Sequence, residues 1–408
     1  MKKKIAIVVQ RAGKDVIGGS EGYALAMAKA LCSTFKVDIL STCAKDHVTW
    51  RNHYGEGVEK VQQDLNIIRF SNDFERGDYW FQFDVTLSYR MPSNLFLYMD
   101  AKEKKELITK YRKLPLGATE EWIKYEGPYS SGLYTYIKKH EQQYTSFLFM
   151  TYLYPTTYFG TQFIKDDKKI FIIPTFHDEP PVYLPIMQRY KKYHHLFLTK
   201  AERDLAVRSI YRAKVKNSII GFGLADKKIQ AKKNVKEKYI LYAGRIEQAK
   251  GILELYDFFS RYYLKKQSIK LYTIGKGNLS DCNHPGVYYK GFVSEEEKLD
   301  LMKNALAFIH PSSLESLGIV LIEAFMVSTP AIVNAKSQVL KDHIKDSKAG
   351  FYYDSYEDFE NALDYLQEGG EQVNQLGKHA RAYYEKMYSL KQYETILTSL
   401  IEKSAIKN

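Results

Sequence analysis

The sequence predicts an α/β protein built of two doubly wound domains that face a central cleft. Its 408 residues are enough for two or three domains. Short runs of Val, Ile, Leu, Phe and Tyr alternate with segments of helical periodicity, which is typical of parallel strands joined by helices. This alternation occurs twice, before and after a polar, basic stretch at 214–236. We therefore expect one domain at 1–219, a hinge or linker at 220–236 and a second domain at 237–385.

The first domain is predicted from six apolar runs, each of strand length. These runs are Ile5–Gln10, Val37–Ser41, Leu65–Ser71, Ser146–Met150, Lys169–Phe176 and His195–Thr199. The clearest helix lies at Glu21–Phe35, whose apolar residues recur at helical spacing behind the cap candidate Ser20. The first apolar run follows a basic start and is too short for a signal peptide, so we predict a strand there.

The second domain is predicted from five further apolar runs. These are Tyr239–Ala243, Ile269–Ile274, Val287–Phe292, Ala307–His310 and Ala331–Asn334. Helical patterns separate them near 251–265, 295–304, 318–327 and 356–368. The closing segment 386–408 is expected to form a helix that returns to the first domain.

One segment, 72–145, fits neither series. It places aromatic residues such as Trp80, Trp122 and Tyr134 among charges, with one helix predicted at 102–113. We interpret the segment as an insertion in the first domain that helps to bind the substrate.

The composition excludes several classes of protein. Hydrophobic residues at 45% and charged residues at 26% are ordinary globular values, which argues against disorder, collagen and coiled coils. Cys32, Cys43 and Cys282 have neither metal-site nor redox spacing, so we expect a reducing compartment. The uncharged stretch 145–164 is interrupted by proline and glycine, and we predict a strand, a loop and a helix there instead of a membrane span.

Positive charge is concentrated in the front half of the chain. Residues 1–219 carry 34 Lys and Arg against 24 Asp and Glu, a net charge of +10 out of +12 for the whole sequence. Such a surface suits an anionic partner, for example a lipid headgroup, a phosphate-linked acceptor or nucleic acid. A well-solvated surface without a partner is the alternative.

A glycine-containing loop follows the first strand of each domain. Gly18 and Gly19 open the first helix, where free backbone N–H groups and the absence of side chains let an anion approach. A simple glycine turn is the alternative.

Gly244 ends the first strand of the second domain and is followed by Arg245 and Lys250. The planar guanidinium of Arg245 and the ammonium of Lys250 together suit a diphosphate. Two solvated cations are the alternative there.

The most informative stretch is 311–324. Glu315 lies in the loop after a strand, and Glu323 lies in an apolar helical run, where a buried carboxylate needs a donor. Between them, Leu317–Ile319 offer helix-start N–H groups as a second anion site. The alternatives are a capping role for Glu315 and an incidental Glu323.

His177 and Asp178 end a strand of the first domain and are followed by Glu179 and two prolines. Polar side chains at the carboxyl end of a strand are placed for a site in the cleft. A structural hydrogen-bonding role for His177 is the alternative.

In this order, the motifs of the chain resemble the retaining glycosyltransferases of family 4, which have the GT-B fold of two Rossmann-like domains. The motifs are Gly18–Glu21, His177-Asp178, Gly244-Arg245 with Lys250-Gly251, Gly275–Gly277, Gly291–Val293, and Glu315 with Glu323. The likeness covers nearly the whole chain. It departs from the family at Lys336–Leu340, where a Gly-Gly pair usually leads to a third glutamate.

The resemblance implies a role for each motif. Arg245 and Lys250 would hold the donor diphosphate, and Glu315 would contact the donor sugar. Glu323 would hold the ribose hydroxyls, and His177 would face the transferred sugar. The expected catalytic residues are His177, Arg245, Lys250 and Glu315. The expected donor-binding residues are Gly18, Gly19, Gly244, Gly275, Lys276, Gly277, Phe292, Val293, Ser316, Leu317, Gly318, Ile319, Val320 and Glu323. The expected acceptor-binding residues are Glu21, Asp178, Tyr152 and Tyr154.

The expected activity is metal-independent transfer of a hexose from a nucleotide sugar, such as a UDP- or GDP-sugar, without a cofactor. Fixed cations and N–H dipoles would stabilise the charge on the departing phosphate, and no Asp-x-Asp pair is present to carry a divalent ion. The expected acceptor is a glycan or a lipid-diphosphate-linked molecule in cell-surface polysaccharide synthesis. We expect a cytoplasmic protein that contacts the anionic inner face of the cell membrane.

Two other functions remain open from the sequence. A nucleic-acid-binding protein could use the basic, tyrosine-rich front half, although no nucleic-acid motif occurs and the basic residues are dispersed. An epimerase or hydrolase of the same fold would consume a nucleotide sugar without an acceptor.

Overall fold

The computed structural model describes residues 2–16, 18–77, 96, 99–227, 229, 237–279 and 283–406. It divides into two compact units, Met1–Gly223 with Tyr393–Asn408, and Leu224–Gln392. Part of the predicted linker, namely 228 and 230–236, lies outside the described residues, as do Trp80 and Cys282. The first unit therefore contains residues from both sides of the second unit in the sequence.

The first unit is built on a sheet whose described strands run in the order β3-β4-β2-β1-β5-β6-β7-β8. The strands are β1 Lys4–Arg11, β2 Lys36–Thr42, β3 Gly57–Gln62, β4 Leu65–Phe70, β5 Ser146–Met150, β6 Ile170–Ile173, β7 His194–Phe197 and β8 Asn217–Ile219. All neighbours are parallel except β3 and β4. Strand β1 is central and nearly all of it is buried, because a parallel sheet has helices on both faces.

The helices of the first unit connect these strands. Those within the described residues are α1 Gly19–Leu31, α2 Ala101–Arg112, α3 Leu116–Glu126, α4 Ser131–His140, α5 Pro155–Tyr158 and α6 Lys200–Leu205. Helix α2 begins with a capping box formed by Asp100 and Glu103. Helices α2 to α4 lie in segment 72–145, whose sequence pattern matched neither series of strands. Along the chain this segment comes between β4 and β5.

This segment contributes to the core of the first unit. Trp122 and Tyr134 are 3% and 2% exposed and belong to the same apolar cluster as strand residues of β1 and β5. Both side chains therefore pack inside the unit and offer no exposed aromatic face to a substrate.

The second unit is built on a parallel sheet of order β11-β10-β9-β12-β13-β14. Its strands are β9 Tyr239–Ala243, β10 Lys270–Ile274, β11 Val287–Tyr289, β12 Ala307–His310, β13 Ala331–Asn334 and β14 Gly350–Tyr353. Its helices within the described residues are α7 Ile252–Lys266, α8 Glu295–Asn304, α9 Ile319–Met326, α10 Gln338–Ser347, α11 Tyr356–Glu368 and α12 Glu371–Met387. The alternation of strand and helix makes this unit, like the first, a doubly wound Rossmann-like domain, as predicted.

The closing helix α13, Leu390–Ile406, begins in the second unit and joins the first from Tyr393 onward. The hydroxyl of Tyr393 donates to that of Tyr23 at 2.9 Å, and Tyr23 donates to the carbonyl of Gly221 at 3.0 Å. A Cβ on Gly223 would lie 2.7 Å from the side chain of Tyr393. Helix α13 is therefore packed tightly against residues 221–223, which precede the second unit in the sequence.

None of the helices in the described parts of the chain is both long and apolar enough to cross a lipid bilayer.

Candidate active site

Three loops meet at the carboxyl edge of the second sheet. A Cβ on Gly275, after β10, would lie 1.8 Å from the carbonyl oxygen of Gly244, after β9. A Cβ on Gly277 would lie 2.1 Å from the carbonyl oxygen of Ile246. Gly275 has φ of 136°, which further favours glycine. The two loops are therefore packed backbone against backbone.

The third loop follows β12. Gly251 has φ of 76° and precedes helix α7, and a Cβ there would lie 2.3 Å from the carbonyl oxygen of Pro311. This close approach places Lys250, the residue before Gly251, next to the loop that carries Glu315.

Lys250 and Glu315 form an ion pair, with 2.6 Å between Nζ and Oε1. The side chains are 25% and 15% exposed, so both still reach solvent. Behind them, Nε2 of His310 lies 3.8 Å from the same carboxylate oxygen. Burial lowers the pKa of His310 to about 4, so its ring is neutral at pH 7 and leaves the positive charge of the pair to Lys250.

Arg245 is on the same edge but points into solvent. Its side chain is 66% exposed, and Nη1 lies 3.1 Å from Oε2 of Glu247. The hydroxyl of Tyr242 donates to the carbonyl of Arg245 at 2.6 Å and fixes the backbone there. Tyr242 lies within electrostatic range of both Arg245 and Glu315, and burial raises its pKa. The two predicted cations thus belong to one edge, each beside a carboxylate.

The start of helix α9 lies after Glu315 in the same loop. Gly318 adopts φ of 74°, and a Cβ there would lie 2.7 Å from Leu340. Leu321 donates to the carbonyl of Gly318, so the N–H groups of Ile319 and Val320 precede the hydrogen bonds of the helix. Such N–H groups at a helix start favour an anion.

A buried histidine supports this turn. Nε2 of His343 lies 2.8 Å from the carbonyl oxygen of Leu317, and Nδ1 lies 3.0 Å from the hydroxyl of Tyr383. Burial lowers the pKa of His343 to about 4. The ring is therefore neutral, with Nε2 as donor to Leu317 and Nδ1 as acceptor from Tyr383.

Glu323 lies on α9 with a lysine partner. Its carboxylate is 2.8 Å from Nζ of Lys298, and the side chains are 12% and 19% exposed. Burial raises the pKa of Glu323, although Lys298 opposes this shift. Burial would lower the pKa of Lys298, but the carboxylates of Glu323 and Glu295 outweigh it and raise the value. The predicted need of this carboxylate for a donor is met by a side chain that the sequence did not single out.

Two exposed side chains face each other beside the loop of Gly275. Phe292 is 70% exposed, and Nζ of Lys276 lies 4.7 Å from the centre of its ring. The N–H of Gly275 donates to the carbonyl of Gly291 at 2.9 Å. Val293 and Ser316 are half-buried.

In the first unit, the helix start at Gly18 and Gly19 is backed by a buried ion pair. The carboxylate of Glu21 accepts from Nε of Arg11 at 2.8 Å and from the hydroxyl of Ser20 at 2.8 Å. Glu21 is 6% exposed. A Cβ on Gly18 would strike this carboxylate, whereas the Cβ position of Gly19 is open space. Glu21 therefore supports the glycine turn from inside the unit.

The other predicted residues of the first unit lie in the loops after β5 and β6. Nδ1 of His177 is 3.5 Å from Oε1 of Glu179, which also accepts from the hydroxyl of Tyr152 at 2.7 Å. The carboxylate of Asp178 accepts from Tyr183. Tyr154 packs edge-on against Trp50, with ring centres 5.5 Å apart.

Some residues beside these positions were not predicted. His310, Lys298 and His343 each contact a predicted residue directly. The strand-end position of His310 was the one available signal. In the described ranges, no group of three or more His, Cys, Asp or Glu side chains is arranged to hold a metal ion.

Comparisons with known sequences give a domain assignment for part of the chain. Residues 225–383 match the family described as Glycosyl transferases group 1. The alpha-monoglucosyldiacylglycerol synthase of Acholeplasma laidlawii is 26% identical over 177 residues, which are 40% of this chain and 44% of that relative. The chain thus spans less than half the length of the curated relatives it matches.

Solved structures share the fold over nearly the whole chain. Sucrose-phosphate synthase from Thermosynechococcus elongatus has a TM-score of 0.69 at 14% identity and full coverage of both chains. The Anabaena protein HepE, solved in complex with UDP and glucose, has a TM-score of 0.67 at 11% identity, covering 98% of this chain and 100% of its own. The fold is the GT-B fold, and the match to Glycosyl transferases group 1 falls within the second unit.

Proposed function

We propose that this chain is a retaining glycosyltransferase that uses a nucleotide-diphosphate sugar as donor. The observation that carries the proposal is the ion pair between Lys250 and Glu315 at the edge where three strand-end loops meet. The group 1 domain in the same unit supports it. Within the part of the chain that the structure describes, the alternative of a nucleic-acid-binding protein has no comparable support from a defined site.

The second unit would bind the donor. Lys250 and Arg245 carry positive charge at one sheet edge. The N–H groups of Ile319 and Val320 lie before the first hydrogen bond within helix α9. We propose that these groups hold the diphosphate. As the bond from the anomeric carbon to the phosphate breaks, negative charge grows on the departing phosphate and these groups stabilise it. The cations would provide this stabilisation without a divalent ion.

Other residues of the second unit would determine which donor binds. When Lys250 turns from Glu315 to the phosphate of the donor, the carboxylate of Glu315 would accept hydrogen bonds from the sugar hydroxyls instead. Glu323, held by Lys298, would accept from the ribose hydroxyls. Phe292 would cover the base with its exposed face. UDP is the first nucleotide to test, because HepE was solved with UDP.

The first unit would bind the acceptor, and His177 would act on the sugar that is transferred. The basic excess of residues 1–219 suits a glycan or lipid acceptor that carries phosphate. The relative from Acholeplasma laidlawii is named for the synthesis of a glycosylated diacylglycerol, which supports a lipid acceptor. We propose a role in cell-surface glycan synthesis at the cytoplasmic face of the membrane, whose anionic surface would attract the first unit.

Ligand-induced stabilisation tests donor binding. Thermal unfolding would be followed with UDP, GDP, ADP and their glucose derivatives at increasing concentration. One nucleotide is expected to raise the melting temperature in proportion to the logarithm of its concentration above Kd. Equal responses to all nucleotides, or to none, would contradict the proposal.

Product analysis tests the reaction class. With the preferred donor and a lipid or oligosaccharide acceptor, the new bond should have the anomeric configuration of the donor, as read by NMR. Donor consumption without an acceptor would favour a hydrolase or epimerase. Salt-sensitive binding of single-stranded nucleic acid without nucleotide-sugar binding would favour the nucleic-acid alternative.

A further inference from the structure

A buried glutamate lies beneath the loop that carries His177. Glu202 is 2% exposed and lies on the short helix α6, whose N-cap Thr199 accepts from the N–H of Glu202 at 3.2 Å. None of the motifs in the sequence includes it. A carboxylate this deep is rare unless it is paired or hydrogen-bonded.

The carboxylate joins two loops through backbone hydrogen bonds. Oε1 accepts from the N–H of Phe176, after β6, at 2.9 Å. Oε2 accepts from the N–H of Leu198, after β7, at 2.7 Å. The backbone of Thr175 also acts to lower the pKa of this carboxyl, against the effect of burial. Both N–H groups donate their hydrogen bonds to Glu202. An ionised carboxylate suits them, because it only accepts hydrogen bonds.

The loop held in this way is strained. Thr175 has φ of 56°, which is unusual for a β-branched residue. Such a conformation persists where the surroundings hold it in place. The N–H of Tyr152 also donates to the carbonyl of Pro174 at 3.0 Å, so the turn is held from both sides before it reaches His177.

We infer that Glu202 is a positioning residue for the proposed reaction, which holds the Thr175–His177 turn so that the imidazole of His177 keeps one orientation. The inference rests on the proposed function. Glu179 contacts the ring of His177 directly, at 3.5 Å from Nδ1, whereas Glu202 acts through the backbone. Protonation of Glu202 would put an O–H donor among the N–H donors and release one of them.

The protonation state of Glu202 changes near neutral pH. Burial raises its pKa to about 7, against the hydrogen bonds from Leu198 and Phe176. Three titratable groups from different elements interact electrostatically with Glu202, namely His177, Tyr23 on α1 and Tyr211 after α6. Because its folded pKa is raised, the protein holds this proton below pH 7 and loses it above. The turn is therefore expected to be firmly held above pH 7 and looser below.

The chain offers a matched control in Glu141. This glutamate is 4% exposed, and its Oε1 accepts from the N–H groups of Lys165 and Asp166 at 3.0 and 3.2 Å. These N–H groups come before β6 along the chain, at the amino edge of the sheet. Glu141 thus has the same kind of structural role as Glu202, at the edge opposite to His177.

The first test compares E202Q and E141Q in a transfer assay from pH 5.5 to 8.5. E202Q is expected to lower kcat about 10- to 100-fold, because a misplaced catalytic group has an effect of this size, with donor KM within about twofold of wild type. It should also remove the fall in kcat below pH 7 that Glu202 causes. E141Q should keep the wild-type kcat and pH profile. Equal losses in both variants, or a wild-type kcat and pH profile in E202Q, would overturn the inference.

The second test needs no activity. Hydrogen exchange of peptides covering 174–178 should be faster, after correction for intrinsic rates, in E202Q than in E141Q at pH 8. In the wild type the same peptides should lose protection between pH 8 and pH 6. Unchanged protection in the wild type across this range would overturn the inference even if E202Q fails to fold. If no donor is turned over, the proposed function fails, while the exchange data still decide whether Glu202 holds the turn.

Discussion

Nζ of Lys250 lies 2.6 Å from Oε1 of Glu315, although 65 positions separate the two residues in the sequence. The close approach of Gly251 to the carbonyl of Pro311 brings the two loops together and so places these side chains within reach of each other. An ion pair that remains partly exposed contributes about 0–1 kcal/mol to stability. A phosphate can therefore replace Glu315 as the partner of Lys250 at little cost, which suits a site that must bind and release a diphosphate.

Replacing Lys250 with alanine should lower turnover about 100- to 1000-fold, because the departing phosphate loses a fixed positive charge. Steady-state kinetics with the preferred donor would measure this. The control is K265A, since Lys265 is also paired with a glutamate, Glu360, at 3.0 Å, but lies on the surface of α7. A K250A enzyme as active as K265A would contradict the donor site.

Replacing Gly275 with alanine should destabilise the second unit by about 3 kcal/mol, because the new Cβ meets the backbone of Gly244. Gly291 also has positive φ, at 81°, but its Cβ position has nothing within 4 Å. G291A should therefore cost only about 1 kcal/mol, from backbone strain. Urea unfolding of both variants measures the difference, and equal values would show that the two loops are not tightly packed.

Replacing Phe292 with alanine should weaken nucleotide binding roughly tenfold, because the base loses an aromatic face. Since Phe292 is 70% exposed, the free energy of unfolding should change by less than about 0.5 kcal/mol. Titration calorimetry with the nucleotide gives the affinity. Y288A, from the exposed face of β11, is the control and should bind as wild type; an unchanged affinity in F292A would remove Phe292 from the site.

The buried His343 should make stability depend on pH. Burial lowers its folded pKa from the ordinary 6.5 to about 4, so the unfolded chain binds more protons between these values. Stability therefore falls as the pH drops from 6.5 toward 4. In H343Q the loss between pH 7 and pH 5 should be about 2 kcal/mol smaller than in wild type. Urea unfolding at both pH values measures it, and H53Q, at an exposed histidine, should behave as wild type.

The sequence was sufficient for the two doubly wound domains, because buried parallel strands appear as short apolar runs. Strands without that pattern were missed. Among the described strands β3 has β4 as its one neighbour, and its Val58 is 67% exposed. Strand β14 begins at Gly350 and is only partly buried. Several runs were predicted too long at their carboxyl ends, since β6 ends at Ile173, β7 at Phe197 and β11 at Tyr289. Apolar residues that follow a strand do not mark where its pairing ends.

For the candidate site, the sequence could name residues but not their partners. Arg245, Lys250 and Glu315 were recognisable because each follows a strand in a recurring motif. Glu202 was not, because its partners are backbone N–H groups, which every residue except proline possesses. Only the fold reveals which of them are brought to a given carboxylate.

The return of α13 to the first unit affects how this protein can be made. Residues 1–223 leave the ribosome long before Tyr393 does, so the nascent first unit lacks the apolar side chains of Leu397 and Ile401, which are fully buried in the finished protein. Until they arrive, the apolar surface they cover stays open to chaperones and to other nascent chains. If synthesis stops before Tyr393, this apolar surface stays exposed, and the incomplete first unit is open to proteolysis.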